Sequence, residues 1–119
     1  ASRRKVAMKL KYVSYVALMV DAKIGNKKYK AVKSIVEVLM NDRGYTIERL
    51  FSPSADASKT VFDLCSKTEY RSEEKAEAES RDFVEEFTRR CMHAGLPDVL
   101  TEFRNSAQPT CIREFNRSL

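Results

Sequence analysis

No tryptophan, one histidine and only three each of glycine, proline and cysteine occur in the 119 residues. Each shortage closes off a class of function. Three glycines cannot build a phosphate-cradling loop, and none of the patterns GxxxxGK[ST], GxGxxG, GxSxG or HExxH is present. The single histidine, His93, leaves zinc only one ligand set, with Cys65, Cys91 and Cys111. Structural zinc draws on close ligand pairs, whereas these cysteines are far apart and form no CxxC. Widely spaced thiols in odd number suit a reducing compartment, where cysteine acts as a small core hydrophobe. No metal ion and no cofactor are expected.

Few glycines and prolines beside 43% hydrophobic residues also exclude a disordered or collagen-like chain. The longest apolar run, Tyr12 to Val20, spans nine residues including Ser14, well short of the roughly 20 that cross a bilayer. Arg3, Arg4 and Lys5 ahead of it imitate the start of a signal peptide, but Lys9 and Lys11 interrupt the pattern and no small-residue cleavage site follows. The expected location is intracellular, in cytoplasm or nucleus, with no membrane partner. One secretory hint is the sequon Asn116–Arg117–Ser118, which supports a less favoured reading as a secreted helical factor.

What the chain has in quantity is charge: 22 Lys and Arg against 17 Asp and Glu, a net +5. The distribution is uneven. Residues 1–30 hold nine basic residues and one acid, Asp21, while residues 61–90 hold six basic residues and nine acids. A basic head on a mildly acidic body favours a polyanionic or acidic partner.

Periodicity predicts an all-α single domain over residues 1–119, a bundle of five or six helices. Val6, Leu10, Val13, Ala17 and Val20 give a first helix over 4–22, although the alternation from Met8 to Tyr12 also fits a strand. Residues 21–26 read as a turn. Tyr29, Val32, Val36, Leu39 and Met40 mark a second helix over 27–42, stopped at Gly44. Ile47 and Leu50 suggest a helical turn, 52–58 a loop, and 59–67 a short helix. Ser72 caps a long helix over 73–93 whose inner stripe is Ala76, Phe83, Val84, Phe87 and Cys91. Pro97 would open a short helix with Leu100 and Phe103, and Thr110 a last one.

No constellation for catalysis appears, so the chain is read as a non-enzyme. The acids of the long helix, Glu79 among them, alternate with Lys75, Arg81, Arg89 and Arg90 and are expected to be a solvated face. The basic head supplies the candidate site: Arg3, Arg4 and Lys5 as an N-terminal arm, with Lys23, Lys27, Lys28, Lys30 and Lys33 around the second helix. Cations ranged along one surface bind phosphates by releasing counterions, and an exposed tyrosine among Tyr12, Tyr15 and Tyr29 could stack a base.

Two windows carry a resemblance. Val32 to Tyr45, ending Asp42–Arg43–Gly44–Tyr45, resembles the helix leading to "DRGY" in the fifth shared subunit of eukaryotic RNA polymerases, whose jaw and assembly domains have no counterpart here. Val16 to Val36 is similar to the helix–turn–helix opening of tellurite-resistance-type helical domains, with lysines where that turn carries acids. Both are amphipathic-helix patterns and assign no family. The leading expectation is a basic helical module of a nucleic-acid-handling assembly that contacts RNA or DNA phosphates through its N-terminal quarter. The alternative is a protein–protein adaptor, monomeric or homo-oligomeric, whose basic head docks an acidic partner.

Overall fold

The computed structural model describes residues 10–53, 55 and 57–110. The all-α expectation fails. Over the described residues the chain is an α/β fold, with four antiparallel strands in one sheet and two helices, rather than a helical bundle. In order these are β1 (Tyr12–Val20), α1 (Lys27–Arg43), β2 (Tyr45–Phe51), β3 (Thr60–Ser66), α2 (Glu73–His93) and β4 (Leu100–Pro109). The strand order β2-β3-β1-β4 makes this a split β-α-β arrangement.

The helices form as their sequences dictate. Asn26 caps α1, its side chain accepting from the Tyr29 N–H at 2.8 Å, and Ser72 caps α2 by accepting from Lys75. Glu73 and Glu74 lie in the first turn of α2, where the dipole favours acids. Gly44 ends α1 in the left-handed region at φ 73°, and its N–H donates to the Met40 carbonyl at 2.8 Å. A Cβ built there would meet nothing within 4 Å. Gly44→Ala therefore carries only the backbone penalty, and its unfolding free energy in urea should fall by about 1–2 kcal/mol.

Both helices cover one face of the sheet. Val16, Leu18 and Val20 of β1 and Phe62 and Leu64 of β3 point into that layer and are buried. They meet Tyr29, Val32, Val36 and Leu39 from α1, and Phe83, Val84, Phe87 and Cys91 from α2. Tyr29 stacks on Phe62 at 6.2 Å, and Tyr45 tilts against Phe83 at 4.5 Å. The buried hydroxyl of Ser14 is satisfied: it donates to the Ala76 carbonyl at 2.6 Å, locking α2 onto β1.

The expected inner stripes of both helices are thus the observed ones, but four segments are corrected. The first helix and the short helices at 45–51, 59–67 and after Pro97 are strands. A strand that is apolar on both faces reads as a continuous run, which carries no period of two. Val16 to Val36 accordingly forms strand, turn and helix rather than two helices. The helix expected beyond Thr110 and the thiol of Cys111 lie outside the described residues.

Glu79 is corrected as well. Its carboxylate accepts from Arg43 Nη1 at 3.0 Å and from the Tyr45 hydroxyl at 3.3 Å. Arg43 Nη2 also donates to Glu86 at 2.7 Å, and Arg90 holds the other Glu86 oxygen at 2.7 Å. This half-buried network ties the C-terminus of α1 to α2 and is not a solvated face.

Candidate binding face

Among the described residues, the other face of the sheet carries no helix. Because side chains alternate along a strand, residues paired across strands share a face. Tyr15, Ala17 and Met19 of β1 therefore stand beside Cys65, Asp63 and Val61 of β3. Arg104 and Glu102 of β4 flank them on one side, paired with Ala17 and Met19. A half-solvated antiparallel sheet ordinarily alternates apolar-in and polar-out. Here the centre of the outer face is largely apolar.

A β-bulge brings in the far side. The register of β2 against β3 shifts between Ile47 and Arg49. Without the extra residue, alternation would turn Arg49 toward the helices and put Glu48 opposite Asp63; with it, Arg49 lies opposite Asp63 and Phe51 opposite Val61. The result is a shallow groove of about 280 Å³, lined among others by Tyr15, Met19, Arg49, Phe51, Phe103 and Arg104.

The groove's polar groups are arranged, not scattered. Arg49 Nε donates to Asp63 Oδ2 at 3.2 Å, and its guanidinium carbon sits 4.2 Å from the centre of the Phe51 ring. Burial, then the neighbouring Asp63 carboxylate, pushes the Tyr15 phenol up to about 12, so it stays protonated across the physiological range. Asp63 is thereby engaged with both Arg49 and Tyr15.

Of the expected lysines, Lys28 is placed by an ion pair at the end of the sheet where β1 finishes. Asp21 follows directly on β1, and both Lys28 and Lys59 approach it at 3.7 Å. Lys23, Lys27 and Lys30 are exposed and make no ion pair among the described residues. The lysines outnumber the acids of this end, which are Asp21, Asp98 beside Val99, and Glu102, so its charge is net positive. It is the same end at which Met19, Val61, Phe51 and Glu102 meet across the sheet. Lys33 is half-buried a turn further along α1. Arg3, Arg4 and Lys5 lie outside the described residues.

Of the three tyrosines proposed to stack a base, Tyr29 is buried against Phe62 and cannot do so, and Tyr12 bridges to Tyr70 at the opposite end of β1. Tyr15 alone lines the groove. Arg49, Phe51 and Arg104 are functional candidates that the linear sequence did not reveal; for Arg49 and Phe51 the signal was the break in alternation at Glu48. No group of three His, Cys, Asp or Glu among the described residues could hold a metal ion, and none of the described helices is long and apolar enough to cross a membrane. No family model matches the chain, and a search of curated proteins returns no match.

Proposed function

We propose that this chain is a non-enzymatic binding domain that holds single-stranded nucleic acid against the helix-free face of its sheet. Bases stack on Phe51 and Tyr15, and phosphates meet Arg49, Arg104 and the lysines beside Asp21. The observation that carries this reading is the coincidence of an aromatic, arginine-flanked groove with a lysine-rich rim at the same end of the sheet. Stacking on an exposed ring accepts any base, and lysines position phosphates without reading sequence. Discrimination should therefore run between single strand and duplex rather than between sequences.

The test is an anisotropy titration with labelled single-stranded RNA and DNA, duplex DNA and heparin at two salt concentrations. Phe51→Ala should weaken single-strand binding by about tenfold, since one stacked base is worth about 1–3 kcal/mol. Changing Lys27, Lys28 and Lys30 together to Gln should flatten the single-strand salt dependence of log K by about 0.7 for each phosphate that is no longer neutralised. Equal binding of heparin, duplex and single strand, untouched by Phe51→Ala, would reduce the site to a basic surface. No binding to any of them would favour the adaptor with an acidic protein partner.

A further inference from the structure

The outer edge of β4 is built to pair with itself. Edge strands are normally blunted by shortness, bulges, lysines or proline. β2, the other edge, has seven residues and a bulge. β4 runs for ten residues; its own bulge, at Thr101, lies near its start and leaves Glu102 to Pro109 in unbroken register. Phe103 is 54% exposed, and no strand lies outside β4 among the described residues.

The backbone direction along β4 follows from two observations. Tyr12 exchanges hydrogen bonds with Tyr70 on the β3 side, while the Lys11 carbonyl accepts from Thr110 N–H on the β4 side. Since backbone groups alternate along a strand, Val13, Tyr15, Ala17 and Met19 turn theirs toward β4. Their partners Gln108, Ser106, Arg104 and Glu102 bond back to β1, which leaves the N–H and C=O of Phe103, Asn105 and Ala107 directed outward. Pro109, next in that outward series, is the residue with no N–H to offer.

We infer that two copies of this chain associate through β4, antiparallel about a two-fold axis at Phe103, to form one continuous eight-stranded sheet. Charge selects that register. Centred on Phe103, each Glu102 stands opposite the other copy's Arg104, twice over by symmetry. Centred one residue either way, Glu102 meets Glu102 or Arg104 meets Arg104, and like charges directly opposite destabilise. The Phe103 pair exchanges two backbone hydrogen bonds, and the flanking charged pairs then fall at the positions where side chains approach more closely. The two exposed rings also shield each other.

This association does not depend on nucleic-acid binding. It is tested by sedimentation equilibrium on nucleic-acid-free protein across a concentration series. The parent should self-associate as a dimer. Glu102→Arg should raise the dissociation constant by about tenfold or more, because two attractive pairs become two repulsive ones. Arg104→Glu should do the same, and the double exchange E102R/R104E should restore dimerisation. Both positions are exposed, so circular dichroism should show the variants folded. A parent that stays monomeric throughout, a dimer indifferent to Glu102→Arg, or a double exchange that fails to restore association would each overturn the inference.

Discussion

Phe87→Ala should lower the unfolding free energy by about 3–5 kcal/mol, the range for emptying an aromatic site in a packed core. Phe87 is fully buried at the middle of α2, within the cluster that joins both helices to β1 and β3. The cost includes the cavity left behind as well as the lost transfer energy. A domain of this size holds about 5–15 kcal/mol in all, so the variant should lose about a fifth of its stability or more. Glu85→Ala, on the exposed side of the same helix, is the control and should change little. Urea denaturation followed by circular dichroism measures both. Coincident midpoints would mean that Phe87 does not hold the two layers together.

Arg43→Met should cost about 2 kcal/mol at neutral pH, because it strands two carboxylates that are only about one-fifth exposed. The partial exposure keeps the figure below that of a fully buried pair. The effect should vanish in acid, and its sign follows from Glu86. Hydrogen bonds from Arg43 and then Arg90 hold the Glu86 carboxyl below its ordinary 4.5. The folded state therefore resists protonation that the unfolded chain accepts. The contribution is complete above about pH 4.5 and is lost as the pH falls through the depressed value. Arg43 itself stays charged throughout: burial works against its charge, but the bonds to Glu86 and Glu79 outweigh that and raise it further. Parent and variant should differ at pH 7, and the difference should shrink in acid, as the pH falls well below 4.5. A deficit of equal size in both ranges would assign the loss to the packing of the Arg43 stem instead.

The network also shows why Glu79 misleads in the linear sequence. It belongs to a run of acids on one helix, Glu73 to Glu86, most of which are exposed. Nothing within α2 marks it out; its partners Arg43 and Tyr45 come from the end of α1 and the start of β2.

Two elements were fully written in local sequence. α1 and α2 carry a cap, an apolar stripe at threes and fours and a dipole-compatible end, so their span and buried face follow from residues within a few turns of each other. The burial of Cys65 and Cys91 was legible as well, since Cys65 stands in an apolar stretch of the sequence and Cys91 on the apolar stripe of α2. The strands were not, because a strand's identity depends on what lies on either side of it. Ile47 and Leu50 stand three apart and read as one helical face, yet both point into the core because the Glu48 bulge consumes one residue of alternation. Leu100 and Phe103 mislead in the same way: the register of β4 shifts between Met19 and Val20, where Thr101 is passed over. β1 and β3 are apolar on both faces, which removes the period of two altogether. The groove is the product of those same bulges and of pairings between residues dozens of positions apart. Local sequence therefore determined the helices and the charge, while the sheet, its helix-free face and the outward edge of β4 were decided by long-range pairing, which no short window of residues encodes.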